Sequence, residues 1–516
     1  MKTESRCLRM IKKKMVRVLT VAGLLACLAS GCASGGSSVG KETAADEIKK
    51  GGFTVAASCH DPQIIREGDT YYMFGSHMVG AKCQDLRKWN YFANGVDAAN
   101  TLFDNLLTEP YAAFDFVGKN TDNGYSVWAS NVIYNETMKK YVMYFCTTSS
   151  YVKSTLCFAT ADNIEGPYTY VDTILYSGYG KSNISETNLY DVLGKNADIS
   201  RYLEYGGYNN KEWPNCIDPA IFTDADGRMW MNYGSWSGGI FLLEIDPTTG
   251  YPIYPVDDKD ADPYYGYRLI GGGHHSVEGP YIQYDAESGY YYLFVSYGDL
   301  QSDGGYQIRQ FRSEKPTGPY VDVAGNTLED QDDHFNYGLK MMGNYTFPSL
   351  NYTYMAPGGQ STFQDDDGKY YITYHQRFDD GTEYHEPRVH QMYTNEDGWF
   401  VAAPFATMGE TLSEKGYKKS DVSGTFYVVN HGTDISSKIR EAEAYTFADG
   451  KVTGGEKSGT YEVKEGTDYI TITLDGVVYK GVLMEMTDEA ENPVFCFSAA
   501  GDNEETLWGV QYIQKE

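Results

Sequence analysis

Positive charge is scarce in this chain. Its 516 residues include 42 Lys and Arg against 71 Asp and Glu, which gives a formal net charge of −29. A surface of this sign repels phosphate backbones and carries no basic stripe. We therefore expect no nucleic-acid partner.

Cysteine and short metal-binding motifs are scarce as well. Nine cysteines are spread along the sequence without a CxxC pair, and no HExxH segment is present. These absences exclude a disulfide scaffold and the common zinc motifs. Cys59 with Cys83, and Cys146 with Cys157, can still pair in an export compartment, while buried free thiols are the alternative.

Long apolar runs are absent except near the N-terminus. The run VLTVAGLLACLA follows a basic segment ending at Arg17 and precedes Ser-Gly-Cys at residues 30–32. This layout is typical of a secretory signal and is too short for a stable membrane anchor. LASGC followed by ASGGSSVG is similar to a bacterial lipoprotein signal in which Cys32 carries the lipid. Cys27 is the alternative acceptor, and an ordinary cleaved signal is the alternative type.

We accordingly predict that residues 1–31 are a lipoprotein signal peptide and residues 32–52 a flexible tether. The protein is expected to be exported and held at the bacterial cell surface or in the periplasm. The lipid anchor would then be its only contact with the membrane.

Aromatic residues, by contrast, are abundant, with 47 tyrosines and a repeated pattern around them. Five short segments are each followed, ten to thirteen residues later, by a tyrosine-rich strand. They read HDPQII, ASNVIY, IDPAIF, EGPYIQ and GGQSTF. Their starts, counted at Asp61, Asn131, Asp218, Glu278 and Gln360, lie 70, 87, 60 and 82 residues apart. This spacing fits four-stranded blades with long loops, so the sequence predicts an all-β chain with a five-bladed β-propeller over residues 53–415.

The remaining sequence has a different pattern. Short strands with period-two alternation and turns every ten to fifteen residues occupy residues 420–516. Such a pattern predicts a small β-barrel or sandwich. Packing against the propeller is its expected role, with carbohydrate binding as the alternative.

The first strand of each propeller blade lines the central channel, so equivalent positions of different blades meet there. Asp61, Asn131, Asp218, Glu278 and either Gln360 or Ser361 should therefore converge. Three carboxylates around one cavity repel one another, which pushes their pKa values apart and suits acid/base chemistry. The alternative is that each Asp-Pro pair only opens a strand or turn.

Five longer stretches carry a resemblance to a known family over roughly residues 55–410. They read HDPQIIREGDTYYMFGS, SVWASNVIYNETMKKYVMYF, IDPAIFTDADGRMWMNYGSWSGGIFLLEID, EGPYIQYDAESGYYYLFVSYG and EYHEPRVHQMYTNEDGWFVAAPF. Together they resemble glycoside hydrolase family 43, specifically its two-domain endo-arabinanases. The resemblance implies an inverting hydrolase of the α-1,5-L-arabinofuranosidic linkages of arabinan, with a lipocalin-like C-terminal domain. It also implies that Asp61 is the general base, Glu278 the general acid and Asp218 the group that tunes Glu278.

The same resemblance implies a calcium ion, mostly water-ligated, that is held at the channel's inner end through His375. Because calcium usually prefers oxygen ligands, the alternative is a histidine of the blade core.

Several further residues are candidates for substrate binding. Trp128, Trp236 and Tyr281 lie near the motif starts and can act as sugar platforms or as packing residues. Asn131 departs from the family pattern, which has an acid there; it can hydrogen-bond a sugar hydroxyl but cannot titrate. Arg388, between His385 and His390, completes the set.

The expected partner is arabinan or an arabino-oligosaccharide, and the expected state is a monomer. Within the enzyme class the alternatives are an exo-acting arabinanase, an α-L-arabinofuranosidase and a β-xylosidase, which share the catalytic acids. A surface lipoprotein that binds glycan without cleaving it is the alternative from another class.

Overall fold

The computed structural model describes residues 39–328, 336–455 and 457–514. The predicted signal peptide, Cys32 and the first part of the predicted tether lie outside the described residues. Within the described ranges, no helix has both the length and the apolar character needed to cross a bilayer.

Five antiparallel sheets built on a four-strand plan form the main body of the chain. Blade 1 contains β2 (Gln63–Glu67), β3 (Thr70–Gly75), β4 (Val79–Cys83) and β5 (Asn90–Ala93). Blade 2 contains β6 (Ser126–Asn135), β7 (Lys140–Ser150), β8 (Lys153–Ala161) and β9 (Thr169–Tyr176). Blade 3 contains β12 (Ala220–Thr223), β13 (Met229–Tyr233), β14 (Ile240–Ile245) and β15 (Tyr267–Ile270).

Blades 4 and 5 complete the ring. Blade 4 contains β16 (Val277–Asp285), β17 (Tyr290–Tyr297), β18 (Gln307–Ser313) and β19 (Leu339–Met342). Blade 5 contains β21 (Tyr354–Gln364), β22 (Tyr370–Phe378), β23 (His385–Thr394) and β24 (Phe400–Ala402), extended by β20 (Tyr345–Thr346) and β26 (Arg440–Glu441). The inner strands β2, β6, β12, β16 and β21 contact one another around a closed ring. The predicted five-bladed propeller is confirmed.

Helical structure is confined to short connections. The single α-helix of the described residues, α1 (Leu189–Leu193), lies between blades 2 and 3, beside the small hairpin β10 (Leu203–Glu204) and β11 (Gly207–Tyr208). The 3-10 turns are Ala45–Glu47, Ser76–Met78, Ala112–Phe114, Ile184–Glu186, Ser200–Tyr202 and Lys419–Asp421.

The C-terminal domain is a closed barrel and not a sandwich. Its strands are β25 (Gly424–Asn430), β27 (Glu443–Ala448), β28 (Lys451–Gly454), β29 (Lys457–Val463), β30 (Tyr469–Leu474), β31 (Val477–Thr487), β32 (Pro493–Gly501) and β33 (Thr506–Gln514). They pair in sequence, and β33 pairs with both β32 and β25, which removes the open edges.

One outer face of the barrel packs on the propeller. Trp508, Met484 and Tyr512 belong to the same buried cluster as Tyr345 and Phe400 of blade 5 and its flanking strand. The Trp508 ring meets Tyr345 edge to face with centroids 5.1 Å apart. Because the two domains share one apolar core, they form a single packed unit.

The N-terminal segment corrects the predicted tether boundary. Residues Lys41–Glu42 form strand β1, which pairs with β33 of the barrel. The Lys49 N–H donates to Asn492 over 3.0 Å, and Gly51 forms a bridge with Leu350. Residues 39–52 are therefore docked against the folded body, because their backbone groups find partners there.

The structure also decides between the two alternatives for the cysteines. Cys59, Cys83, Cys146, Cys157, Cys216 and Cys496 are all free and buried. Burial raises the pKa of the Cys83 thiol to about 12. The two pairings that the spacing permits are not formed, and these thiols act as small apolar core residues.

Arg388 is the predicted substrate-binding residue that the fold removes from the channel. It is 2% exposed and donates to Glu386 over 2.9 Å, while Glu489 of the barrel lies 4.0 Å away. Its guanidinium lies over the ring of Phe53, 4.4 Å from the centroid. Arg388 therefore joins the N-terminal segment, blade 5 and the barrel, and does not face a substrate.

This placement predicts that Arg388→Ala lowers stability by about 3–5 kcal/mol, because Glu386 and Glu489 would remain buried without their cation. Thermal and denaturant unfolding measure the loss, and Arg388→Lys, which restores the charge but not the planar fork, should recover part of it. An Arg388→Ala protein with unchanged stability and a raised KM for oligosaccharide would contradict the structural role.

Candidate active site

Five equivalent three-residue segments surround the propeller axis. They are 61–63, 129–131, 218–220, 279–281 and 359–361, and all five line one small cavity of about 40 Å³. Each begins with a left-handed residue, at φ 54° for Asp61, 47° for Ala129, 56° for Asp218 and 57° for both Gly279 and Gly359. Left-handed backbone is costly outside glycine, and strain of this kind is stored at functional sites.

These segments correct the predicted alignment of the blades. Asp61 and Asp218 are equivalent, as expected. Asn131 is the third residue of its segment, and Glu278 lies one residue before the start of its own. Glu278 therefore lies outside this axial cavity and lines a neighbouring one together with Asp61 and Asp218.

Asp61 is held as a carboxylate by hydrogen bonds. Its Oδ2 accepts from Ser76 Oγ over 2.6 Å and lies 2.7 Å from His60 Nδ1. Burial would raise the pKa of Asp61, but His60 and Ser76 hold it below the ordinary value. The ionised form that a general base requires is thus the favoured one.

Glu278 has the opposite tendency. Its Oε1 accepts from Tyr306 OH over 2.7 Å, and its Oε2 accepts from Ser235 Oγ over 2.9 Å and Trp236 Nε1 over 3.0 Å. Burial and the negative charge of Asp61 both raise the pKa of Glu278. The hydrogen bonds from Tyr306 and Ser235 lower it, and the net shift is upward. The net direction favours the protonated form that a general acid requires.

Asp218 lines the same cavity as these two groups, and in the described part of the chain its carboxylate accepts one long hydrogen bond, from Gly279 N–H over 3.2 Å. Burial raises the pKa of Asp218 well above its ordinary value, and the charges of Asp61 and Glu278 add to the effect. The charge that raises the pKa of Glu278 therefore comes from Asp61, whereas a tuning role for an ionised Asp218 stays a prediction.

The three carboxyl groups share one cavity of about 220 Å³. Its other walls include His60, Ser76, His77 and Tyr306. A larger groove of about 650 Å³ adjoins it, and the two share Trp128, Ile217 and Glu278 as lining residues. The cavity with the three carboxyl groups is thus continuous with a larger surface groove.

The predicted sugar-binding residues divide between the groove and the channel interior. Trp128 and Trp236 line the groove, as a stacking role requires. Asn131 is 3% exposed, and its Oδ1 accepts from Ile221 N–H over 3.1 Å. Tyr281 and Asn131 both line the small axial cavity, where they connect blades. The structure therefore does not place Asn131 and Tyr281 with the two tryptophans.

His375 lies at the inner end of the site. Its ring stacks on His60 with centroids 4.0 Å apart, and its Nδ1 lies 3.9 Å from Asp61 Oδ1. Burial lowers the pKa of His375 well below its ordinary value, so the imidazole is neutral. His60, Asp61 and His375 present ligand atoms within 4.8 Å of one another, and His375 Nε2 is buried without a partner. A histidine ring that burial keeps neutral, with one unpartnered nitrogen and a carboxylate nearby, fits a cation ligand.

Sequence reasoning missed the groups that hold the carboxylates. Ser76 and Ser235 bind Asp61 and Glu278, and both follow a Gly at the end of a second blade strand, in FGSH and YGSW. This repeated Gly-Ser was the available signal. No sequence signal identified Tyr306, because it lies outside the repeated motifs and only the fold places it next to Glu278.

The C-terminal domain reaches this site through the loop 432–441. Gln307, next to Tyr306, donates from Nε2 to the carbonyl of Asp434 over 3.1 Å. Gly305 lies so close to Ser436 that an added Cβ would meet its backbone at 2.8 Å. The segment that carries Tyr306 is thus supported by the second domain.

Comparisons with known proteins agree with this geometry. The family model for glycosyl hydrolases family 43 matches residues 192–400, and the C-terminal lipocalin-like domain model matches residues 404–509. The extracellular endo-α-(1→5)-L-arabinanase 2 of Bacillus subtilis is 38% identical over 467 residues, which covers 88% of this chain and 92% of that protein. The extracellular endo-α-(1→5)-L-arabinanase of Thermotoga petrophila is 36% identical and covers 88% of this chain and 94% of the relative.

Solved structures give the same relationship. The crystal structure of the endo-1,5-α-L-arabinanase from Thermotoga petrophila aligns with a TM-score of 0.77 at 36% identity, over 90% of this chain and 100% of that one. A family 43 glycoside hydrolase from Bacillus licheniformis aligns with a TM-score of 0.78 at 37% identity, over 89% of this chain and 99% of that one. With both domains matched and the relatives covered almost end to end, this chain belongs to glycoside hydrolase family 43.

Proposed function

We propose that this protein hydrolyses internal α-1,5-L-arabinofuranosidic linkages of arabinan with inversion of configuration. The observation that carries the proposal is the pairing in one cavity of Asp61, whose pKa is lowered by His60 and Ser76, with Glu278, whose pKa is raised by burial. The endo-arabinanase names of the two long relatives support the choice of substrate.

In this proposal Glu278 delivers its proton to the glycosidic oxygen as the bond to the anomeric carbon breaks. Asp61 takes a proton from the water that attacks the opposite face of the sugar, so the product has the inverted configuration. Tyr306, Ser235 and Trp236 orient the acid, and Ser76 with His60 orients the base. Activity should fall below the pKa of Asp61 and above that of Glu278.

The groove supports endo action because it extends beyond the catalytic cavity. Trp128 and Trp236 offer apolar faces on which successive sugar rings can stack. Exo-acting arabinanases, α-L-arabinofuranosidases and β-xylosidases would use the same acids, so they differ from this proposal in the products released.

We also propose a calcium ion at the inner end of the channel with His375 as its protein nitrogen ligand. The unpartnered Nε2 of His375 supports this choice, as do the ligand atoms of His60, Asp61 and His375, which lie within 4.8 Å of one another. When bound, the ion would supply positive charge beside Asp61 and structural stability, and the proton transfers remain with Asp61 and Glu278.

For location, we propose export followed by lipid attachment at Cys32. The curated relatives are named as extracellular enzymes, which supports export. The lipid anchor is supported by the lipoprotein-like signal sequence.

The acid and base assignments predict that Glu278→Gln and Asp61→Asn each lower kcat on arabinan by at least about a hundredfold, since one proton carrier is lost in each case. Reducing-sugar release measures the loss, and calorimetric binding of arabinotriose to Glu278→Gln should persist. Glu465→Ala, an exposed acid of the barrel, is the matched control. Turnover by Glu278→Gln close to that of the native chain would rule out its role as the acid. An inactive native chain that still binds arabinan would instead favour the glycan-binding alternative.

Product analysis tests both the linkage position and the stereochemistry. Linear arabinan should yield a mixture of oligosaccharides early in the reaction, because the groove that continues from the carboxyl cavity can hold several sugar units. Proton NMR of the first products should show the inverted anomer, as water attack opposite Glu278 requires. Release of a single short product would favour exo action, a retained anomer would overturn the Asp61 role, and faster cleavage of xylan would favour the β-xylosidase alternative.

The calcium proposal predicts that chelation or His375→Ala lowers bound calcium, melting temperature and activity together, because an ion that binds only the folded state stabilises it. Elemental analysis of the purified protein gives the metal content directly. His431→Ala is the matched control, because His431 is also a buried histidine with an unpartnered Nε2 and lies in the C-terminal domain. It should lose stability without losing metal. Normal calcium content in His375→Ala would leave His375 as a core residue.

A further inference from the structure

A second cavity lies at the mouth of the C-terminal barrel, away from the carboxylates of the channel. It has a volume of about 530 Å³, within the range of small-molecule sites. The barrel interior is filled at its other end by an aromatic cluster that includes Phe426, Phe447, Phe495 and Phe497. The strands therefore enclose a pocket that is closed below and open at one rim.

The floor of this pocket is apolar and the rim is polar. Val428, Tyr445, Leu474 and Leu507 line it, and each is at most 6% exposed. The charged lining residues are Asp434, Lys438, Arg440, Glu441, Glu443, Lys457 and Glu505. Three of these residues are basic and four are acidic. The rim therefore has a small net charge and attracts neither strongly anionic nor strongly cationic ligands.

One carboxylate on the wall is fixed in place. Glu505 Oε2 accepts from Tyr479 OH over 2.5 Å and from Asn430 Nδ2 over 2.9 Å. Burial would raise the pKa of Glu505, but these bonds and Lys457 lower it, so the carboxylate remains an acceptor. A fixed anionic acceptor beside an apolar floor is suited to hydroxyl groups carried on a carbon skeleton.

We propose that the barrel mouth binds a neutral saccharide, namely the end or a side chain of the polymer that the propeller cuts. This inference rests on the proposed function for the identity of the polymer. Sugar rings have apolar faces for Tyr445 and Leu474, and their hydroxyls can donate to Glu443 and Glu505 and accept from Lys457. A purely apolar ligand would instead bury these charges without partners, which is costly.

The cavity is also connected to the catalytic domain. Asp434, on its wall, accepts through its carbonyl from Gln307 over 3.1 Å and from Lys340 Nζ over 2.8 Å. Saccharide at the barrel mouth would therefore hold the polymer on the loop that supports Tyr306. Binding there would raise the local concentration of substrate for the groove.

The test uses the full chain with Glu278→Gln, so that ligand is not consumed, and titrates it calorimetrically with arabinotriose. We expect two binding sites. Adding Glu443→Ala and Lys457→Ala should weaken one site at least about tenfold, because a hydroxyl acceptor and donor are lost together. The matched control adds Glu465→Ala and Lys451→Ala, an exposed acid and base outside the cavity, and should retain both sites.

Each other outcome contradicts the inference. A single site in the Glu278→Gln parent, or two intact sites in the rim variant, would remove the barrel mouth as a saccharide site. Displacement of the rim-dependent site by a fatty acid or by an anionic uronic-acid oligosaccharide would show that the ligand class is wrong. Arabinan turnover by the native chain is measured separately, so failure here is distinguishable from failure of the proposed hydrolase.

Discussion

Repulsion between carboxyl groups around the propeller axis is the constraint on which the site depends. Asp61, Asp218 and Glu278 line one cavity, where three negative charges would be strongly unfavourable. The surrounding hydrogen bonds decide which group is charged. Asp61 accepts a hydrogen bond from Ser76 and contacts the His60 ring. In the described residues, Asp218 accepts one hydrogen bond, from the backbone of Gly279. Glu278 accepts three hydrogen bonds, yet burial and the charge of Asp61 still raise its pKa. The proposed division into base and acid therefore follows from the balance between hydrogen bonds and burial at each carboxyl group.

The backbone carries part of the same constraint. Asp61 and Asp218 are both left-handed and both precede proline, which fixes the direction of the chain entering the blade. Gly359 occupies the corresponding position in blade 5, where an added Cβ would meet Asp61 Oδ1 at 2.4 Å. A larger residue there would displace the Asp61 carboxylate. The ring of inner strands therefore sets both where the acids lie and how much room they have.

The sequence predicted the propeller because each blade repeats one hairpin pattern, and local pattern is what sequence reasoning reads well. The position of Glu278 relative to Asp61 was predicted less well, because register shifts in the inner strands, as between Glu278 and Tyr281, change which residues are equivalent. Arg388 was misassigned for a different reason. Its partner Glu489 is 101 residues away in sequence, so its burial depends on domain packing that no local pattern shows.

The two domains meet where the chemistry needs support. Tyr306, which donates to Glu278, precedes β18, and the neighbouring Gln307 and Gly305 contact the loop between β25 and β27. That loop also forms a wall of the barrel-mouth cavity through Asp434. Because the buried Arg309 donates to Thr433 of the same loop, moving it would strand a charge inside the protein. The barrel therefore contributes, through this loop, to the position of Tyr306 and of the Glu278 carboxyl group that it binds.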